Sequence, residues 1–152
     1  MRWFSVKSAV CVVVGIMIAG VGLPHPVTRI REVQPLLHGA VPIDIDSIFS
    51  RACQDCHSNK TVLPWYAHVP PMSKLVADDV ERGRKFMNLS DWQSYSKGQK
   101  LGYLTALSNA VSAGEMPPQR YTFIHGDARL TDAERLRIAA WAKEESARLT
   151  QQ

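Results

Sequence analysis

Residues 53–57 of this 152-residue chain read Cys-Gln-Asp-Cys-His, which is the C-x-x-C-H spacing of a haem attachment motif. Two thiols three positions apart can each form a thioether to a vinyl group on one edge of a porphyrin. The next residue, His57, then places an imidazole nitrogen against the iron as the proximal ligand. The motif therefore predicts one haem c per chain, covalently bound by Cys53 and Cys56, with the helices of the fold wrapped around it.

A C-x-x-C pair also occurs in redox dithiols and in zinc sites. A redox dithiol is expected near a βαβ pattern, and the sequence contains none. A zinc site needs two more ligands at short spacing, but there is no second C-x-x-C pair and no H-x-x-x-H pair. Haem attachment is therefore the favoured interpretation. The third cysteine, Cys11, lies in an apolar run and is predicted to be a small buried hydrophobic residue.

Composition and charge limit the other classes of function. The length suits one modest domain with an N-terminal extension, and 45% hydrophobic with 21% charged residues is typical of a globular protein. The net charge is +4, but the basic residues are scattered and form no stripe. This pattern predicts no nucleic-acid binding and gives only a weak preference for an acidic redox partner.

The first 23 residues have the features of a membrane segment. Residues 8–23 are apolar, and as a helix they would span about 24 Å, short of a hydrocarbon core of roughly 30 Å. Trp3 and Phe4 extend the apolar stretch, and Lys7 can reach the headgroups. The segment therefore predicts an N-terminal transmembrane helix. This helix would be a single-pass anchor in the bacterial inner membrane, with the haem domain in the periplasm.

A cleavable signal peptide is the competing interpretation of the same segment. No A-x-A site closes the apolar run, and Gly-Val-Gly at 20–22 is a poor substitute, so an uncleaved anchor is favoured. Residues 24–41 contain three prolines and show no sustained periodicity of apolar residues, which predicts a linker. The haem-binding domain is then expected over residues 42–150.

From residue 42 onward the pattern is helical and strand signals are nearly absent, which predicts an all-α domain. The first helix carries Asp44 and Asp46 in its first turn, where negative charge suits the helix dipole. One face of this helix is apolar at helical spacing and leads into the haem motif: Ile45, Ile48, Phe49, Ala52 and Cys56.

Three further helices are predicted, with long loops at 58–71 and 115–129. The helix over 72–87 is expected to bury Leu75, Val76, Val80 and Phe86. The helix over 99–113, which Gly114 would stop, is expected to bury Leu101, Leu104, Leu107 and Val111. The last helix starts at a capping box formed by Thr131 and Glu134, and its expected inner face is Leu136, Ala139, Ala140 and Trp141.

The loop after His57 is expected to cover the proximal face of the haem. Trp65 and Tyr66 can pack on the porphyrin or hydrogen-bond a propionate, although ordinary aromatic core packing explains them equally well. Pro64 or Pro70 could fix a carbonyl that accepts the Nδ1–H of His57, which would make the imidazole a stronger ligand.

Met116 is the favoured second axial ligand. It lies 59 residues after His57 in the sequence Gly-Glu-Met-Pro-Pro at 114–118, where two prolines stiffen the backbone that presents the thioether. His125 is the next candidate, followed by His68, although a lone histidine in a loop is usually just solvated. Met72 and Met87 occupy helical positions, where methionine more often fills a core.

These motifs resemble two related groups of proteins. An aromatic residue four positions before the first motif cysteine (Phe49), a methionine before proline and a C-terminal helix with Trp141 resemble class I cytochromes c. In that class an aromatic residue of the N-terminal helix packs across the C-terminal helix. More closely, four segments resemble the small bacterial haem-binding domain family: residues 53–66, 80–84, 88–92 and 114–118.

The resemblance spans about residues 42–142 and implies a single-haem c-type domain. Members of that family are typically exported, often with one N-terminal apolar segment. Carried over residue by residue, the resemblance supports Cys53, Cys56, His57 and Met116, and it adds no catalytic residue.

Three hypotheses for the function follow, in order of preference. The first is an electron carrier without catalytic residues, which exchanges single electrons with redox partner proteins in the periplasm or membrane. The second is a peroxidase-like enzyme, which would need an open iron and a distal acid–base group such as His68 or His125. The third is a gas or redox sensor in which a ligand displaces Met116.

Overall fold

The computed structural model describes residues 41–152. Within this range the chain is helical and contains no strand, so the all-α prediction is confirmed for the described domain. The predicted anchor at 1–23, and all but the last residue of the predicted linker at 24–41, lie outside the described residues. No helix between residues 41 and 152 is long and apolar enough to cross a membrane.

Six α-helices follow one another along the described chain: α1 Ile43–Ala52, α2 Gln54–His57, α3 Met72–Phe86, α4 Lys97–Ser112, α5 Gln119–Ile124 and α6 Asp132–Thr150. Three short 3-10 helices lie between them: Trp65–His68, Leu89–Ser94 and Gly126–Ala128. The predicted long loops are therefore partly helical.

Helix α1 has the predicted inner face and leads into the predicted motif. Its four buried residues are Ile45, Ile48, Phe49 and Ala52. Cys53 departs from helical geometry, with φ −126° and ψ −33°, while its N–H still donates to the carbonyl of Phe49. The motif is thus divided between the end of α1 and the single turn of α2, where one continuous helix was predicted.

Helices α4 and α6 pack against each other and begin with capping boxes. The predicted box of Thr131 and Glu134 is confirmed, and Ser96 with Gln99 forms a second one. A capping box satisfies backbone N–H groups that the first turn of a helix leaves without partners. Gly114 follows α4 with φ +74°, a conformation that favours glycine, so the predicted helix stop is also confirmed.

The predicted inner face of α6 is partly wrong. Leu136 is 72% exposed and Ala140 is also exposed, whereas Trp141 is buried as expected. The buried residues of α6 are Ile138, Trp141, Ala142 and Leu149. The face that meets α1 and α4 is therefore rotated by about two positions, because the angle of packing against those helices decides which stripe is covered.

The predicted inner face of α3 is also mostly wrong. Leu75 is 40% exposed and Phe86 is 57% exposed, while the buried residues of α3 are Ser73, Ala77, Val80 and Gly83. Only Val80 belongs to both sets. Small side chains are buried here because α3 lies very close to α2. A Cβ atom on Gly83 would overlap the carbonyl oxygen of Cys56 and lie 2.9 Å from its carbonyl carbon.

The main core lies where α1, α4 and α6 meet. The side chains of Ile45, Leu104 and Ile138 are almost fully buried there. The rings of Phe49 and Trp141 make an edge-to-face contact at the crossing of α1 and α6. The N-terminal and C-terminal helices of the domain therefore hold the segment that carries the two cysteines.

Candidate functional site

Cys53 and Cys56 lie on neighbouring helical elements and face two different apolar clusters. Cys53 packs against the main core, and Cys56 packs against Ala77 and Val80 of α3. Neither residue forms a disulfide. Burial raises the pKa of the Cys53 thiol to about 12 and that of Cys56 to about 11, so both are protonated at neutral pH.

A hydrogen bond between a ring nitrogen and a backbone carbonyl orients the imidazole of His57. Its Nδ1 lies 3.1 Å from the carbonyl oxygen of Met87, the residue that follows α3. A ring that donates through Nδ1 keeps its Nε2 lone pair for a metal ion. Burial lowers the pKa of His57, which favours the neutral form that a metal requires. The oriented imidazole therefore suits a haem iron, and the two cysteine thiols of the same motif suit thioether bonds to the porphyrin.

The carbonyl that holds His57 was predicted wrongly. Pro64 and Pro70 were the candidates from the sequence, and the acceptor is Met87 instead. Met87 itself is 6% exposed, which agrees with the expectation that it fills a core rather than ligates. The sequence carries no signal for this contact, because it depends on where α3 ends relative to α2.

Arg84 fixes the segment that follows His57. Its Nε donates to the carbonyl of Ser58 at 2.8 Å, and its Nη2 donates to Oγ1 of Thr61 at 2.7 Å. Thr61 in turn donates to the carbonyl of Asp55, and the fully buried Ser58 donates to the carbonyl of Gln54. Hydrogen bonds from a charged donor are among the stronger ones, so this network stiffens the backbone on both sides of His57.

A second polar network connects this segment to the 3-10 helix Leu89–Ser94. The buried side chain of Asn88 donates to Oδ1 of Asn59 at 3.0 Å, and Ser90 Oγ accepts from the N–H of Asn59 at 2.9 Å. The N–H of Asn88 donates to the hydroxyl of Tyr95. Sequence reasoning assigned no role to Arg84 or Asn88, although both lie in segments that carried the family resemblance.

An open cleft lies beside Cys56. Its apolar lining residues come mainly from α3 and the loop after α2, and its polar lining residues include Asp55 of α2, Asp79 of α3 and Tyr121 of α5. Its walls are formed by Asp55, Cys56, Thr61, Val62, Leu63, Pro64, Tyr66, Val76, Asp79, Val80, Tyr121 and His125. The cleft thus reaches one of the two motif cysteines.

Tyr66, Tyr121 and His125 form an aromatic cluster in the wall of this cleft. The hydroxyl of Tyr66 lies 2.5 Å from Nε2 of His125, and the ring of Tyr121 stacks on the imidazole with centroids 4.4 Å apart. Tyr121 donates to Oδ2 of Asp55 at 3.0 Å. Burial, together with the charge of Asp55, raises the pKa values of both phenols.

The structure brings together only some of the predicted site residues. Tyr66 and His125 share the cleft with Cys56, whereas the side chain of Trp65 is 78% exposed and lies outside its walls. Trp65 still contacts the ring of Tyr66. His68 is exposed and Met72 is half-buried. The roles predicted for these residues in haem binding stay predictions.

Met116 lies just beyond the end of α4. Its N–H donates to the carbonyl of Ala110 at 3.2 Å, and its own carbonyl accepts from Arg135 at 3.2 Å. The residue is 38% exposed. The backbone of Met116 is thus fixed while its side chain remains accessible, which suits a thioether that binds a metal; its role as second axial ligand stays a prediction.

An all-helical domain that offers an oriented imidazole for iron, and two thiols on adjoining turns for the porphyrin, has the groups of a haem-binding protein. The family model described as "Haem-binding domain" matches residues 12–144, so this chain belongs to that family and its cofactor is a haem.

The chain is also similar to a named bacterial protein. It is 29% identical over 100 residues to cytochrome c peroxidase Ccp of Escherichia coli (strain K12). The match covers 64% of this chain and 22% of the relative, so the chain spans about a fifth of that protein's length. No solved structure matches the chain.

Proposed function

We propose that this chain is an exported c-type cytochrome that binds one haem covalently and carries single electrons. Residues 8–23 would anchor it in the bacterial inner membrane with the haem domain in the periplasm. Its partners would be redox proteins of the periplasm or membrane. The observation that carries the proposal is the hydrogen bond between Nδ1 of His57 and the carbonyl of Met87. This contact orients an imidazole beside the two thiols that would form the thioethers.

Each part of the site has a defined task in this proposal. Cys53 and Cys56 would tether the porphyrin, and His57 would ligate the iron through Nε2. Met116 would supply the second axial ligand, whose thioether raises the reduction potential. When bound, the haem supplies reversible one-electron chemistry. The hydrogen bonds of Arg84 and Asn88 hold the backbone around His57 in place, so little rearrangement of these residues would accompany a change of charge on a bound iron.

A peroxidase-like enzyme is the second candidate, because the similar protein from Escherichia coli is named a cytochrome c peroxidase. His125 and Tyr66 offer an acid–base pair in the cleft beside Cys56. The chain covers only 22% of that relative, so the activity in its name is not assigned to this chain. An electron carrier needs no catalytic residue in addition to the bound haem. Electron transfer therefore stays the preferred function.

Visible spectra of the purified haem-loaded protein separate the two candidates. An electron carrier with two protein ligands should be low-spin when oxidised and should not bind carbon monoxide when reduced. Its reduction potential should lie in the range typical of a haem with one histidine and one methionine ligand. A high-spin ferric spectrum, immediate carbon monoxide binding and rapid turnover of hydrogen peroxide would instead support the enzyme.

A further inference from the structure

The open cleft is bordered by exposed apolar side chains from two separate segments of the chain. Val62 belongs to its lining and is 76% exposed. Trp65 is 78% exposed, and its ring contacts the ring of Tyr66, which also lines the cleft. Ile124, the last residue of α5, is 53% exposed and precedes the cleft-lining His125. These three exposed side chains, Val62, Trp65 and Ile124, form what we call the rim patch.

Hydrogen bonds join the two segments that form the rim patch. The hydroxyl of Tyr66 lies 2.5 Å from Nε2 of His125. The carboxylate of Asp55 accepts from the N–H of Val62 at 3.1 Å and from the hydroxyl of Tyr121 at 3.0 Å. Because Asp55 belongs to α2, the rim patch keeps a fixed orientation relative to the haem motif.

The composition of the rim patch suits contact with a lipid bilayer. Large apolar side chains are normally covered, and a group of exposed ones marks a surface that meets another molecule. Tryptophan is enriched where proteins meet the headgroup region of a bilayer, because its ring is apolar while its N–H can stay hydrated. Trp65, with an aliphatic side chain from each of the two segments, therefore resembles an interfacial contact.

The charged groups around the rim patch show no excess of one sign. Asp79 in the cleft wall binds Arg82 at 2.6 Å and Arg120 at 2.7 Å. Lys60 and Asp127, which have opposite charges and lie close to the patch in sequence, are both exposed. Attraction to anionic lipid would therefore contribute little, and burial of apolar surface would have to supply the binding energy.

The same chain carries an apolar segment that would keep a bilayer within reach of the patch. Residues 8–23 are the proposed anchor, and the 17 residues from 24 to 40 connect it to Val41, which packs against the main core. Whatever their conformation, 17 residues span at most about 60 Å. A tethered bilayer acts at a high effective concentration, so a patch too small to hold the domain by itself can stay docked.

We propose that the rim patch docks on the phospholipid bilayer in which residues 8–23 anchor the chain. The proposal rests on the proposed anchor and adds a second membrane contact, made by the domain itself. The 3-10 helix Trp65–His68 and the end of α5 then face the lipid. Helices α4 and α6 contribute no residue to the cleft, so they remain accessible to proteins in the aqueous phase.

The test is photo-crosslinking of the full haem-loaded chain in phosphatidylcholine vesicles. Benzoylphenylalanine replaces Trp65, and after illumination peptide mass spectrometry should find phospholipid joined to the peptide that contains this position. The matched control carries benzoylphenylalanine in place of Leu136, which is 72% exposed on α6 and outside the cleft, and it should give no lipid adduct. Both side chains are exposed, so both variants should fold.

Two changes of condition test whether apolar contact holds the patch to the lipid. With the crosslinker at position 65, Val62→Asp combined with Ile124→Asp should lower the yield of lipid adduct several-fold, whereas Leu136→Asp should leave it unchanged. Addition of phosphatidylglycerol to the vesicles, or of high salt to the buffer, should also leave the yield unchanged. A yield that appears only with the anionic lipid would overturn the proposal, because charge and not the rim patch would then hold the domain.

The remaining outcomes separate the docking from the anchor. Equal lipid adducts at positions 65 and 136 would overturn the proposal, as would a crosslink from position 65 to a second copy of the chain instead of lipid. Vesicles are washed with alkaline carbonate before the analysis. Loss of the chain in the wash would refute the anchor and the docking with it, whereas retained chain without lipid at position 65 would refute only the docking.

Discussion

The ring of Phe49 meets the ring of Trp141 edge-on, with centroids 5.4 Å apart and planes at 83°. Phe49 is 2% exposed and Trp141 is 5% exposed, so this contact joins the first and last helices of the described domain inside its core. The sequence placed both residues on apolar helix faces at opposite ends of the domain.

Replacement of either aromatic residue by alanine should strongly destabilise the domain. Loss of a buried aromatic side chain costs about 3–5 kcal/mol. In a double-mutant cycle followed by denaturant unfolding, the pair should show a coupling of about 0.5–1.5 kcal/mol. Phe123→Ala is the control, since Phe123 is 85% exposed and its loss should change stability by no more than about 0.5 kcal/mol. Additive losses at Phe49 and Trp141 would show that the rings do not interact.

Gly83→Ala should destabilise the packing of α3 against α2. The added Cβ would overlap the carbonyl of Cys56, and such overpacking costs about 1–3 kcal/mol. Gly102→Ala is the matched control, because a Cβ there meets open space in the middle of α4 and should stabilise the helix by about 0.5–1 kcal/mol. Thermal unfolding of the two variants measures both effects. Equal changes in stability in the two variants would contradict the close approach of α3 to α2.

Cys53→Ala combined with Cys56→Ala should abolish covalent haem. Both thioethers are expected to form at these residues, so no attachment point would remain in the motif. Haem staining after denaturing electrophoresis measures the result, with the wild-type protein as the positive control. A stain that persists in the double variant would contradict the motif interpretation.

Met116→Ala should convert a low-spin ferric haem to a form whose sixth coordination position is open. The variant is expected to lose the methionine–iron charge-transfer band, to bind carbon monoxide or azide, and to fall in potential, because the thioether favours ferrous iron. Visible and near-infrared spectra, with a redox titration, measure these changes.

Two further methionines and His125 serve as controls for the axial ligand. Met72→Ala should leave the spectrum unchanged. Met87→Ala should do the same, since alanine keeps the backbone carbonyl that accepts from His57, and it should cost about 2–5 kcal/mol of packing because Met87 is buried. If His125→Ala opens the iron and Met116→Ala does not, the ligation is bis-histidine.

The expressed protein should remain with the membrane fraction, because residues 8–23 are predicted to anchor it. Cell fractionation with haem staining, followed by sequencing of the mature N-terminus, measures this. A variant that replaces residues 1–23 by a cleavable signal peptide should move the haem to the soluble periplasmic fraction. A wild-type N-terminus near residue 23 would show that the segment is removed.

The haem cofactor, the helical class, the approximate ends of α3 and α4 and the start of α6 could be predicted from the sequence, because each depends on neighbouring residues. The C-x-x-C-H spacing places its three donors by local geometry alone. The capping box of Thr131 and Glu134 closes within one turn. The inner face of α1 follows from the spacing of its apolar residues, since a strongly amphipathic helix has only one side to bury.

The inner faces of α3 and α6 and the support of His57 were decided by the tertiary structure. Gly83, not a large apolar residue, is buried on α3 because the backbones of α2 and α3 approach each other closely. The carbonyl of Met87 binds His57 from 30 positions away, and no local pattern marks such a contact. Likewise, Tyr66 and His125 are 59 positions apart, and their hydrogen bond exists only because the loop after α2 and the end of α5 meet at one cleft. Local spacing determines which groups a helix presents, whereas the packing of helices determines which of those groups meet.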